Sequence, residues 1–137
     1  MAGYSGKPLR QKLGLKPEMR VALYHVPEKL RGVFRKLPTG ARLVTQGSNL
    51  DYVHYFCVHR QALAAALLGL KTRLRPAGML WVSWPKKGSG VVSDVDENVV
   101  RHLALQQGLV DVKVCAIDST WSGLKLVIPR SQRGLSS

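Results

Sequence analysis

A short basic loop is the part of this sequence best suited to binding chemistry. Residues 85–90 read Pro-Lys-Lys-Gly-Ser-Gly, which combines the ammonium groups of Lys86 and Lys87 with the hydroxyl of Ser89 and two glycines. Successive backbone N–H groups in such a loop can surround a phosphate or carboxylate while the lysines add positive charge. We therefore expect an anion site here. The alternative is a solvent-exposed joint in which the glycines only permit the turn.

Two tryptophans and an aspartate are predicted to lie beside this loop. Trp84 immediately precedes it, while Asp118 and Trp121 belong to a later turn between two apolar runs. Indole rings stack on nucleobases and other planar rings, so both tryptophans are candidate ligand contacts together with the aspartate. Packing of both tryptophans in the hydrophobic core is the alternative interpretation.

Two of the four histidines stand where parallel strands are predicted to end. His25 and His59 each follow an apolar run, a position from which an imidazole can act as a general base. Neither has a serine or cysteine nucleophile with an orienting acid placed beside it. We therefore predict no catalytic residues and retain both histidines as ligand-binding candidates.

The sequence contains no residue spacing typical of a metal site. His54 and His102 are not paired by an H-x-x-x-H or H-E-x-x-H pattern, and Cys57 and Cys115 lie singly in apolar runs, as buried thiols do. Residues 94–97 include three carboxylates, and magnesium binding is one interpretation of them. Capping of a helix that begins there explains the same residues, so we expect no metal.

Positive charge is concentrated in the first half of the chain. The net charge is +13, and residues 1–75 contain 14 Lys and Arg against 3 Asp and Glu, whereas the remainder contains 7 and 5. Such an excess favours polyanionic partners, although a solvated surface without a partner explains it equally well. No helix-turn-helix pattern or interleaved aromatic residues accompany it, so any nucleic-acid binding would have weak sequence specificity. The candidate phosphate contacts are Lys29, Arg31, Arg35 and Lys36, with Lys7, Arg10, Lys12 and Lys16 on the same flank.

Apolar runs that alternate with helical periods predict one α/β domain over residues 1–137. Residues 1–17 form its lead-in and residues 129–137 a flexible tail. The longest apolar run (62–70) is too short to cross a membrane, and no signal-peptide core opens the chain, so we expect a soluble, cytoplasmic protein. Strands are predicted at 20–26, 42–45, 52–58, 79–84, 109–117 and 123–128, and helices at 27–37, 60–75 and 94–107.

Several stretches of the chain resemble class I S-adenosylmethionine-dependent methyltransferases. They are the lead-in to the first strand (13–21), the joint before the fourth strand (74–82) and the final helix-to-hairpin segment (107–110 and 121–127). The whole chain is also similar to a small bacterial family known only as a domain of unknown function, in its MAGYSG start, its WPKK-x-SG loop and its VDVKVCAID-x-TWSGLKLV ending. The resemblance implies a Rossmann-like three-layer sandwich. Its mostly parallel six-stranded sheet would have the order 2-1-3-4-6-5 and end in an antiparallel hairpin.

The same resemblance places a ligand site at the carboxyl ends of strands one and three, where the strand order reverses. Methyltransferases of this class have an acid and a glycine turn at the end of the first strand, but the aligned positions here are Leu23, His25 and Pro27, and no acid follows the second strand in 44–48. We therefore predict no cofactor and favour a non-catalytic domain that binds an anionic ligand or partner at this edge. One alternative is a divergent S-adenosylmethionine- or nucleotide-binding enzyme with His25 or His59 as base. The other is a nucleic-acid-binding protein.

Overall fold

The computed structural model describes residues 8–134. A 3-10 turn (Glu28–Leu30) leads directly into the second helix. The strands are β1 (Arg20–Tyr24), β2 (Arg42–Leu43), β3 (Leu50–Phe56), β4 (Leu74–Pro85), β5 (Val110–Ala116) and β6 (Trp121–Val127). The helices are α1 (Leu9–Lys12), α2 (Arg31–Arg35), α3 (Arg60–Arg73), α4 (Glu97–Gln106) and α5 (Arg130–Arg133).

The six strands form one mixed sheet of order β2-β1-β3-β4-β6-β5, which confirms the predicted topology. Strands β1 to β4 are parallel, while β6 pairs with β4 and β5 in antiparallel fashion. The run Tyr52–Phe56 of β3 is buried on both sides of the sheet, as an apolar central parallel strand requires. The order of the strands reverses between β1 and β3, so the carboxyl ends of those two strands diverge into a crevice.

Helices cover both faces of the sheet and divide the core into two clusters. On the α3/α4 face, Leu63, Leu67 and Leu70 of α3 recur at steps of four and three residues and pack against alternate side chains of β3 and β4. On the α1/α2 face, Leu13 and Phe34 pack against the opposite side chains of the same strands. The three layers are those of the predicted sandwich.

Helix α4 begins later than the sequence predicts. Asp96, rather than Asp94, is its N-cap, and the Asp96 Oδ1 accepts a hydrogen bond from the Val99 N–H at 2.9 Å. Asp94 instead accepts a hydrogen bond from the Arg60 N–H, in the first turn of α3, at 2.6 Å. The prediction was wrong because either acid satisfies the local capping pattern, and a contact with another helix decides between them.

The region after β6 also differs from the predicted tail. Residues 130–133 form the single turn α5, and the Arg133 Nε donates to the Ile128 carbonyl at 2.8 Å. Residues 135–137 and the predicted basic contact Lys7 lie outside the described residues. No helix of residues 8–134 is long and apolar enough to cross a membrane.

Candidate functional site

A pocket of about 320 Å³ opens at the carboxyl edge of the sheet, between the ends of β1 and β3. We call it the switch-point pocket because it lies where the order of the strands reverses, the position at which open α/β sheets bind ligands. Sequence analysis placed His25, His59 and Trp121 at this edge, and the structure brings all three together. The full lining consists of His25, Tyr55, Phe56, Cys57, Val58, His59, Ala62 and Trp121.

His25 enters the pocket from a left-handed backbone conformation. Its φ is +60°, a value that costs a non-glycine residue about 1 to 3 kcal/mol. The imidazole meets the Tyr55 ring edge-on, with 5.5 Å between ring centroids. The tight turn after β1 therefore exists here without a glycine, and it places an exposed imidazole in the lining of the pocket.

His59 also lines the pocket, immediately before α3. Its carbonyl accepts the Leu63 N–H at 3.1 Å, and its own side chain is exposed. The neighbouring loop is tied to this junction because the Ser93 Oγ donates to the Val58 carbonyl at 2.8 Å. Together with the bond from the Arg60 N–H to Asp94, this contact fixes where α3 begins and therefore where His59 stands.

The two candidate tryptophans lie on opposite faces of the sheet. Trp121 pairs with Pro85, while Trp84 pairs with Ser122, so the two indoles point in opposite directions. Trp121 is half-buried and meets Phe56 edge-on at 5.5 Å, forming one wall of the pocket. Trp84 is 5% exposed and belongs to the core of the α3/α4 face. Only one indole is therefore available to a ligand.

Lys86 of the basic loop and Asp118 of the hairpin turn have a different role from the predicted one. The Lys86 Nζ donates to the Asp118 carbonyl at 2.8 Å, and the Lys86 N–H donates to the Thr120 carbonyl at 2.7 Å. Asp118 in turn accepts the Thr120 and Trp121 N–H groups through its Oδ1, at 2.9 and 2.7 Å. Lys86 and Asp118 thus hold the turn that presents Trp121 and do not line the pocket themselves.

Lys87 and Ser89 do not line the pocket either. The Lys87 side chain is 90% exposed, and its Nζ lies 4.0 Å from the Asp96 Oδ2. The Ser89 Oγ accepts the Val91 N–H at 3.3 Å, a contact within the loop. Any anion at this loop would be bound at its outer surface, separate from the switch-point pocket.

Sequence analysis missed a buried chain of hydrogen-bonded side chains, which contacts the pocket lining through Phe56. The Tyr52 hydroxyl lies 2.9 Å from the His54 Nδ1, and the His54 Nε2 lies 2.7 Å from the Ser83 Oγ. The His54 ring stacks on Phe56 at 4.2 Å, and Phe56 contacts Trp121. Tyr52 and His54 lie on the same face of β3 because side chains alternate along a strand, and the pairing of β3 with β4 brings Ser83 beside His54.

Two ionisable groups of the pocket wall are held in their neutral forms. Burial, reinforced by the Asp94 carboxylate, raises the pKa of the Cys57 thiol to about 12. Burial and then the neighbouring Cys57 raise the pKa of Tyr55 as well. A thiol with so high a pKa is a poor nucleophile at neutral pH.

The side chains at this edge do not fit the usual binding mode of S-adenosylmethionine. Where a glycine turn would let backbone approach the cofactor, the His25 ring stands against Tyr55, and Pro27 removes a backbone donor. The stretch 44–48 after β2 contains no carboxylate to take the ribose hydroxyls.

Comparison with known proteins identifies the fold. No protein-family model and no curated protein sequence matches the chain. A SAM-dependent methyltransferase from Aquifex aeolicus superposes with a TM-score of 0.62 and 14% identity over 88% of both chains. A putative methyltransferase from Thermoplasma acidophilum gives 0.59 and 8% identity over 90% of this chain and 75% of that one. Magnesium protoporphyrin IX methyltransferase from Synechocystis PCC 6803, with bound SAM, gives 0.57 and 14% over 88% and 74%. The chain therefore has a shortened form of the class I SAM-dependent methyltransferase fold.

Proposed function

We propose that this chain is a non-catalytic binding domain whose switch-point pocket takes a small anionic ligand that carries a planar ring. The observation behind the proposal is the convergence of two exposed imidazoles and two aromatic walls in one crevice. The volume of about 320 Å³ is at the lower end of the range for small-molecule sites, which suits a single ring system and one charged group.

The walls favour a planar ring. Tyr55 and Trp121 present aromatic surfaces, and Phe56 and Ala62 add apolar lining between them. Trp121 is held at a fixed angle by its edge-on contact with Phe56 and by the turn that Asp118 organises. A pre-organised indole loses little conformational freedom when a ring stacks on it.

The mouth favours a negative charge. His25 and His59 both line the pocket and can offer ring N–H donors, and none of the lining residues is acidic. The N-terminal end of α3 lies next to this edge, but Asp94 already accepts the Arg60 N–H there, so the preference for an anion depends on the two imidazoles and not on the helix dipole. The net charge of +13 adds a long-range attraction for the same class of ligand.

The absence of an activated catalytic group supports a binding role. Within residues 8–134, no hydrogen bond joins either mouth imidazole to an acid or a nucleophile, and the Cys57 thiol has a pKa of about 12. General-base chemistry needs an oriented base next to a reacting group. The competing function is a divergent S-adenosylmethionine-binding enzyme, which the same experiment tests.

The direct test is isothermal titration with adenosine monophosphate, adenosine and S-adenosylmethionine as probes. We expect measurable binding of the monophosphate, at least tenfold weaker binding of adenosine, and no stronger binding of S-adenosylmethionine than of adenosine. His25→Gly and Trp121→Ala should each weaken monophosphate binding, whereas Lys87→Ala, outside the pocket, should leave it unchanged. Tight S-adenosylmethionine binding that His25→Gly does not alter would overturn the proposal. So would the lack of any detectable monophosphate binding.

A further inference from the structure

Lysines from opposite ends of the chain converge on one surface. Lys113 and Lys125 are directly paired across the antiparallel strands β5 and β6. The Lys113 Nζ donates to the carbonyl of Lys12, 101 residues earlier in the sequence, at 3.0 Å. The segment that carries Lys16 lies at the same place, because the Trp81 indole N–H donates to the Leu13 carbonyl at 2.9 Å and Trp81 is paired with Lys125. Burial, followed by the charges of Lys113 and Lys16, lowers the pKa of Lys125, in agreement with this placement. We call Lys12, Lys16, Lys113 and Lys125 the lysine cluster.

The lysine cluster has no acidic partner within the part of the chain that the structure describes. The ion pairs there join other residues: Arg75 with Asp51, Lys87 with Asp96, and Arg101 with two acids. Like charges directly opposite each other on neighbouring strands destabilise a sheet. An anion bound over the cluster would remove this repulsion, so the arrangement favours an external partner.

The cluster continues a basic surface formed by α1 and α2. Arg10 donates a hydrogen bond to the Lys36 carbonyl, which holds the two helices side by side. Segments 8–19 and 28–37 contain seven Lys and Arg against the two acids Glu18 and Glu28. Lys113 and Lys125 share this face because Lys125 pairs with Trp81, whose ring lies in the core of the α1/α2 face. The surface therefore combines Arg10, Lys12, Lys16, Lys29, Arg31, Arg35, Lys36, Lys113 and Lys125.

The composition of this surface favours a nucleic acid over an acidic protein. Within residues 8–42 no large hydrophobic side chain is exposed, and the exposed Leu43 and Val112 border the surface as single side chains, beside Arg31 and Lys125 respectively. Protein partners derive most of their binding energy from buried aromatic or apolar anchors, which α1 and α2 do not offer. A phosphodiester backbone needs only closely spaced positive charges, which this surface provides.

We propose that the α1/α2 face, completed by the hairpin residues Lys113 and Lys125, binds the phosphate backbone of a nucleic acid with little sequence preference. This site is separate from the switch-point pocket and does not depend on it. The hairpin lysines extend the predicted contact surface, which sequence analysis confined to the first 36 residues.

The test is fluorescence anisotropy with labelled 20-nucleotide single-stranded RNA and duplex DNA at several salt concentrations. The triple variant Lys16→Gln, Lys113→Gln, Lys125→Gln removes three charges of the surface. The control Arg42→Gln, Arg60→Gln, Lys87→Gln removes three exposed charges located elsewhere, so both variants have the same net charge. We expect the triple variant to lose at least tenfold in duplex affinity and to flatten the slope of log K against log salt by about 2 to 3, because each phosphate contact contributes about 0.9. The control should keep the slope.

Several results would overturn this proposal. They are no binding of either nucleic acid at low salt, equal losses in the two triple variants, or competition by poly-glutamate as strong as that by DNA at equal charge. The last result would indicate an acidic protein instead, since duplex DNA carries a much denser line of charge. Should the triple variant fail to fold, the exposed Lys16→Gln alone is expected to flatten the slope by about 1. An unchanged slope in that folded variant would also contradict the proposal.

Discussion

His54 Nε2 and Ser83 Oγ lie 2.7 Å apart on neighbouring strands, in a part of the core from which solvent is fully excluded. With Tyr52 on its other ring nitrogen, the imidazole has both nitrogens in hydrogen bonds and is 0% exposed. A neutral imidazole satisfies this arrangement, whereas a charged one would be buried without a counter-ion. This relationship predicts how the stability of the protein depends on pH.

Stability is predicted to fall in acid because of His54. Burial lowers the pKa of this imidazole from 6.5 to about 3, so between those values the unfolded chain binds a proton that the folded protein does not. The free energy of unfolding should therefore decrease as the pH falls below 6.5, by about 2 kcal/mol at pH 5. Urea unfolding at pH 7, 6 and 5 measures this change. His54→Gln should remove most of the slope, and an equal slope in both proteins would contradict the assignment.

The left-handed backbone conformation at His25 predicts that glycine and valine substitutions change the free energy of unfolding differently. Because glycine adopts φ = +60° without strain, His25→Gly should leave the free energy of unfolding unchanged or raise it by up to about 1 kcal/mol. His25→Val should lower it by more than about 1 kcal/mol, since a β-branched side chain resists this conformation. Urea unfolding at neutral pH compares the two variants. A glycine variant clearly less stable than the natural protein would show that the imidazole contact with Tyr55 outweighs the strain, and one less stable than the valine variant would contradict the role of the backbone conformation.

Close packing around Gly123 predicts that two glycine-to-alanine substitutions have opposite effects on stability. A Cβ at this residue of β6 would lie 2.7 Å from the Ser83 Oγ and 3.1 Å from the Trp81 ring, both fully buried. Gly123→Ala should therefore destabilise the protein by about 1 to 3 kcal/mol. Gly69→Ala is the matched control, because nothing lies within 4 Å of that added methyl group and alanine is favoured in helix α3. Thermal melting should show opposite shifts, and a neutral Gly123→Ala would contradict the packing.

Cys57 is predicted to resist alkylation in the folded protein. Its thiol is 7% exposed and has a pKa of about 12, so almost no reactive thiolate forms at pH 8. Iodoacetamide should label a Cys115→Ser variant, which retains only Cys57, at least a hundred times more slowly in buffer than in 6 M urea. Mass spectrometry measures both rates. Rapid labelling in buffer would indicate that the thiol at the pocket is accessible and reactive. Covalent chemistry would then become a candidate function of the pocket.

Local features predicted the elements: the apolar runs gave the strands, and the leucine stripe gave α3. The order of the six strands was predicted from the resemblance to class I methyltransferases, and the structure confirms it. The choice between Asp94 and Asp96 as a cap failed because a contact with the N-terminus of α3 decides it. Local pattern contains no information about such contacts.

Only part of the candidate site was predicted, because several of its contacts join segments that are distant in the sequence. Strand ends placed His25 and His59 at one edge, where the structure finds them in one pocket. The separation of Trp84 from Trp121 depends on the register between β4 and β6, which the sequence does not specify. The approach of Lys113 to Lys12 joins segments at opposite ends of the chain, so local sequence patterns could not predict it either.

The most direct test of the switch-point pocket uses the three tryptophans of the chain as reporters. Trp81 is fully buried with its indole N–H bound to the Leu13 carbonyl, Trp84 is in the core, and only Trp121 lines the pocket. In a nitrogen-15 NMR titration with adenosine monophosphate, the account predicts a saturable shift of the Trp121 indole signal, assigned through Trp121→Phe, while the other two signals stay in place. Binding that leaves the Trp121 signal unmoved, or an equal shift produced by S-adenosylmethionine at the same concentration, would contradict it.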